Sequence, residues 1–187
     1  MLRLSIINIA VALIYLGLFA AQANAMSESL FWASLVFLPH GWRIVCFFLF
    51  RFSALPGLFA GHLATCLIYF GDPTDLPLYV LTSLQGTLVL PFFYVVLKWL
   101  GKDLLATRPE YPVVPWTSFA TLAMAATILN GVLVAAATAS YQNSAINWTQ
   151  VSQYLVGDFF GAVIFIGGLI AFFRWQRQRQ SGATPSH

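Results

Sequence analysis

Of the 187 residues, 59% are hydrophobic and only 8% are charged, against about a quarter charged in soluble domains. That balance excludes a water-soluble globular domain and describes an integral membrane protein. The formal net charge of +3 does not point to nucleic acid, because nearly all lysines and arginines stand at the ends of apolar runs, where membrane orientation alone would put them.

The first apolar run covers residues 6–24, behind a short segment with Arg3. It reads as an uncleaved first span, although its ending, Ala23, Asn24 and Ala25, also fits a signal-peptide cleavage site. Gly17, Ala21 and Ala25 fall four apart, as a small-residue ridge for close helix packing would.

The second run, residues 30–50, contains Leu38, Pro39, His40, Gly41, Trp42 and Arg43. An arginine in hydrocarbon costs about 2.5–3.5 kcal/mol on insertion scales. Proline lacks a backbone donor and glycine weakens a helix, so the spacing predicts a helix kinked or unwound near the bilayer centre. Irregular backbone at that depth must face protein or a water-filled cavity, which makes His40 and Arg43 candidates for an interior polar site.

The third run, residues 54–70, opens with Pro56 and Gly57, has Gly61 four residues on, and carries His62. The short turn at Arg51 predicts an antiparallel hairpin that brings His62 near the level of His40 and Arg43. Gly57 and Gly61 would let a neighbouring backbone approach. Counted from that turn, Cys46 and Cys66 differ in level by about 8 Å, too far for a disulfide, so both read as small buried apolar residues.

After an acidic turn at Asp72 and Asp75 comes the fourth run, residues 76–97, with Gln85, Gly86 and Pro91 inside it. It leaves through Lys98 and Lys102 into a polar connection bearing Asp103, Arg108 and Glu110. The fifth run, residues 116–139, holds Asn130. The sixth, residues 151–173, holds Asp158 and stops at Arg174, Arg177 and Arg179. Residues 176–187 read as a short, basic, disordered cytoplasmic tail.

Arg3, Arg51, the Lys98–Arg108 connection and the C-terminal arginines fall on one side, while the connections near Glu28, at Asp72 and at 140–150 have no lysine or arginine. The expected architecture is therefore all-α: one bundle over residues 1–175, six transmembrane helices, and both termini cytoplasmic in a bacterial inner membrane.

Its interior polar set is His40, Arg43, His62, Gln85, Asn130 and Asp158. Arg43 and Asp158 are the expected ion pair, since neither charge is tolerable alone in hydrocarbon; the pair serves structure or a ligand. His40 and His62 lack the third ligand a metal site needs, and Gln85 and Asn130 are suited to hydrogen bonds between helices. Neither a nucleophile with its base nor a phosphate-cradling loop is present, so no catalysis and no cofactor are expected.

Pro39-x-Gly41, then Pro56, Gly57 and Gly61, with Gly157, Asp158, Phe159, Phe160 and Gly161 in the last span, resembles the first family of membrane-associated sensor domains, the MASE type. The resemblance covers roughly residues 30–173. It implies a multi-span bundle in a bacterial signalling protein, which perceives a membrane or periplasmic signal and passes it to a partner. Pro39, Gly41, Gly157 and Gly161 are among the positions it marks. Such domains are normally followed by a coiled coil and an output domain, whereas here about 14 residues follow the last span. The expectation is a sensor or adaptor in the lipid bilayer that signals to another protein, with Arg174, Arg177 and Arg179 facing that partner. A rival class is a solute-binding membrane subunit of a transporter, and a third is a structural assembly factor.

Overall fold

The structure, a computed structural model, describes residues 2–25, 36–103, 105–106 and 116–181. Among the described residues there is no strand, and six α-helices carry the fold. They are α1 (Leu2–Ala25), α2 (Leu38–Phe50), α3 (Leu55–Tyr69), α4 (Leu76–Trp99), α5 (Trp116–Tyr141) and α6 (Trp148–Ser181). The connections carrying Glu28, Arg108 and Glu110 lie outside the described residues.

Among the described residues five helical stretches are long and apolar enough to cross a membrane: Leu2–Ala25, Leu38–Tyr69, Pro73–Trp99, Ala120–Tyr141 and Trp148–Arg179. The second is not one rod. Arg51, at φ 55°, turns the chain between α2 and α3, and a guanidinium nitrogen of Arg43 lies 3.0 Å from a ring nitrogen of His62. In a continuous helix 19 residues would separate the two by about 28 Å, so α2 and α3 form an antiparallel hairpin.

Contacts fix the direction of every helix. Asn8 meets Gly57, Ala12 and Tyr15 meet Gly61, and Phe19 meets Tyr69, so α1 and α3 run parallel. Phe37 meets Gly157, Gly41 meets Gly161 and Trp42 meets Phe165, so α2 and α6 run parallel as well. The Tyr141 hydroxyl donates to the Thr74 carbonyl at 2.8 Å, which sets α5 antiparallel to α4. The six helices thus alternate in direction, and Arg3, Arg51, Lys98, Lys102 and the C-terminal arginines gather at one end of the bundle.

Lipid is as apolar as leucine, so helix association rests on close packing and interhelical hydrogen bonds. Ile44, Phe47, Val89, Leu90, Leu122, Ala126 and Ala162 form one buried cluster, and Val11, Tyr15, Cys46, Ala54 and Leu58 a second. Leu2, Leu4, Ile6, Ile9 and Leu13 of α1 are exposed, as a lipid-facing side should be. Both cysteines are free and buried.

The structure departs from the sequence reading at three places. Pro39 does not kink a helix: it occupies the first turn of α2, where a missing N–H removes no helical bond. The start is held from outside, the Phe37 N–H donating to the Gly157 carbonyl at 2.8 Å and the Leu38 N–H to Gln22 Oε1 at 3.1 Å.

The ridge of Gly17, Ala21 and Ala25 faces outward, and nothing stands within 4 Å of where a Cβ on Gly17 would lie. Asn8, Val11, Tyr15, Phe19 and Gln22 make the inner face instead: Asn8, Tyr15 and Gln22 bond to α3 and to the α2 segment, and Val11 and Phe19 are buried beside them.

Finally, α6 continues to Ser181 through the run read as disordered tail, while residues 182–187 lie outside the described ones. Arginine and glutamine are good helix formers, and the Arg179 guanidinium stacks 4.0 Å over the Trp175 ring one turn back.

Candidate functional site

Arg43 sits on α2 level with Tyr15, midway along α1, and is buried. Its Nη2 donates to the Tyr15 hydroxyl at 2.6 Å and to His62 Nδ1 at 3.0 Å. Because Nδ1 accepts from the guanidinium, the ring proton of His62 belongs on Nε2. Carbon Cζ lies 5.4 Å from the centroid of the Tyr15 ring and 5.6 Å from that of Phe37. The flat guanidinium rests on Gly86 of α4, where an added Cβ would come within 2.9–3.0 Å of it. A larger residue there would have to displace the guanidinium.

These partners are all uncharged. Among the described residues no carboxylate oxygen lies within 4.0 Å of Arg43, and neither its Nη1 nor its Nε has an acceptor. The expected ion pair with Asp158 is therefore not formed. Tyr15 and His62 take the place of the carboxylate.

Asp158, on α6, is paired elsewhere. Its Oδ2 accepts from Asn130 Nδ2 at 2.6 Å and lies 3.3 Å from His40 Nδ1, an approach too oblique to count as a hydrogen bond. His40 Nε2 meets the Thr127 hydroxyl of α5 at 2.9 Å. Gln85 of α4 donates to the Asn130 backbone carbonyl at 3.3 Å. Asp158 Oδ1 has no partner among the described residues, and Asn130 Oδ1 is buried with none.

Glycines bring these elements into register. A Cβ on Gly41 would stand 3.0 Å from the Gly161 carbonyl oxygen and 2.6 Å from Phe165 Cβ, and one on Gly161 would overlap the Phe37 backbone. Pro56 opens α3, and the Gly57 N–H next to it donates to Asn8 Oδ1 at 2.7 Å.

Between the two polar groups lies a cavity of about 150 Å³. Arg43, His62, Asn130 and Asp158 line its deep part, and Phe70, Tyr79, Thr138 and Tyr154 extend it toward the end of the bundle opposite the basic residues. Two fixed charges of opposite sign thus face one partly open volume with aromatic walls. Such a volume suits binding, with a polar group at each charge and apolar surface between. Among the described residues no three of His, Cys, Asp and Glu stand close enough together to hold a metal ion.

All six sequence candidates border or adjoin this region, split into an Arg43–His62 group and a His40–Asn130–Asp158–Gln85 group. Arg174, Arg177 and Arg179 lie far from it, on the exposed end of α6. Sequence reasoning missed Tyr15, Asn8, Gln22 and Thr127. For three of them a signal existed: Asn8, Tyr15 and Gln22 stand seven apart on an otherwise apolar helix, a stripe one face wide. Thr127 carried none. No family model matches the chain, and neither a curated protein nor a solved structure matches it.

Proposed function

We propose that this chain is a sensor-type multi-pass membrane protein. Its interior cavity takes a small polar molecule, and cavity occupancy is relayed at the basic end of the bundle to a partner protein. The observation that carries the reading is the buried Arg43, which has no carboxylate beside it among the described residues and opens on the same cavity as Asp158. A charge is kept in hydrocarbon at such cost where it does work. In this reading the helices make six crossings in a bacterial inner membrane, with both termini cytoplasmic and the mouth of the cavity outside. The basic residues at one end favour that orientation.

The MASE-type resemblance supports the same reading, because the two segments that carry it, around Gly41 and around Gly161, pack against each other beside the polar groups. α6 joins the two ends: it holds Asp158 in the cavity wall and extends to Arg174, Arg177 and Arg179 at the basic end. Replacing these three arginines by glutamine tests the relay, with insertion checked because each basic residue near the membrane contributes about 1 kcal/mol of lipid contact. A sensor loses its partner while the cavity stays folded.

The second reading is the solute-binding subunit of a transporter, favoured by the outward ridge of Gly17, Ala21 and Ala25, which leaves α1 free to dock another helix. Copurification of a stoichiometric small molecule with an ATPase module would decide for it.

A further inference from the structure

We infer that the cavity recognises a zwitterion of amino-acid type, its carboxylate held by Arg43 and its ammonium by Asp158. The inference rests on the ligand-binding reading above and adds the chemical class. Among the described residues Arg43 spends only Nη2, so the N–H groups of Nη1 and Nε remain for an acceptor. A guanidinium with open N–H groups matches a carboxylate, which it can hold with two parallel bonds.

Among the described residues Asp158 spends only Oδ2, leaving Oδ1 to accept from a cation or donor. Donors thus stand free on one wall and a carboxylate oxygen on the other. The two fixed charges cancel, so a ligand carrying one net charge leaves that charge uncompensated in a low-dielectric interior, while a zwitterion leaves none.

Size agrees with the charge argument. A cavity of about 150 Å³ is the size that admits benzene in an engineered protein core, and its open end leaves length for an amino acid of leucine's size. The aromatic walls formed by Phe19, Phe37, Phe70 and Tyr154 would receive an apolar side chain.

Three probes with one branched carbon skeleton separate the possibilities: leucine, 4-methylpentanoate and 3-methylbutylamine. Each is added to the purified full chain in mild detergent at neutral pH, and binding is read as a rise in Tm. A ligand at about ten times its Kd raises Tm by about 3–6 °C in a protein of this size. Leucine should do so at concentrations at least tenfold below either singly charged probe, since each lost charged hydrogen bond costs about that factor or more. Arg43→Gln should remove the preference for leucine over 3-methylbutylamine, and Asp158→Asn that over 4-methylpentanoate.

Should either variant fail to fold, Val134→Phe, which fills the cavity and leaves both charges in place, must still abolish the leucine response. A singly charged probe that binds as well as leucine overturns the zwitterion and leaves the ligand site standing. No response to any of the three overturns both.

Discussion

Among the described residues Arg43 is a buried cation held by uncharged partners. Tyr15 and His62 supply acceptors and Gly86 supplies room, so the guanidinium is positioned while part of its hydrogen-bonding capacity stays open. Two predictions follow from those contacts. Tyr15→Phe removes an acceptor 2.6 Å from Nη2 and should destabilise the fold by about 1–3 kcal/mol. In an Arg43→Gln background the same change should cost little, and thermal or denaturant unfolding of the four proteins of the cycle measures the coupling. Gly86→Ala pushes a methyl group into the guanidinium; a loss of about 1–3 kcal/mol is expected, together with weaker binding of any ligand that needs Arg43. An unchanged Tm would show that the guanidinium moves aside at no cost.

At the scale of elements, the α2–α6 contact decides whether the site exists, because it sets His40 opposite Asp158. Gly161→Ala would drive a Cβ into the Phe37 backbone, which has no room to yield because its own N–H is tied to Gly157. It should cost about 1–3 kcal/mol, while Gly167→Ala, two turns along the same helix with nothing within 4 Å, should leave Tm unchanged or slightly raised. Equal effects at the two positions would refute close α2–α6 packing.

The turn before α4 is a smaller element with its own chemistry. The Thr74 hydroxyl and backbone N–H both donate to Asp72 Oδ1, at 2.7 and 2.9 Å, and hold its carboxyl below the usual carboxylate range. A depressed pKa means the stabilisation is fully present above the unfolded value of about 3.9 and is lost as pH falls through the folded one. A carbon NMR titration should place the Asp72 midpoint below that of an unstructured aspartate, and Thr74→Val should move it back up.

For the whole molecule the open matter is orientation. Six helices alternate in direction, and the arginines and lysines at their ends collect on one side; the rule that basic ends stay inside predicts that this side is cytoplasmic. In a background lacking Cys46 and Cys66, a cysteine at Ser144 should react with an impermeant thiol reagent in intact cells, and one at Thr107 should not. The reverse pattern would invert the protein and put the mouth of the cavity in the cytoplasm, where an external signal could not reach it directly.

The sequence alone determined that the chain is a helical membrane bundle, because hydrocarbon tolerates few charges and the chain carries them where helices end. It also marked His40, Arg43, His62, Gln85, Asn130 and Asp158, since polar groups inside apolar runs are conspicuous whatever they touch. Which of them meet was decided only by the tertiary structure. Along one helix, depth follows from counting residues at about 1.5 Å each, but the rotation of each helix and the choice of neighbour do not. A pairing of opposite charges by depth therefore joined Arg43 to Asp158, while the folded bundle gave Arg43 to Tyr15 and His62 and gave Asp158 to Asn130 and His40. Pro39 illustrates the same limit: the residue that breaks a helix from the inside also starts one, and only the partners of Phe37 and Leu38 on α6 and α1 show which.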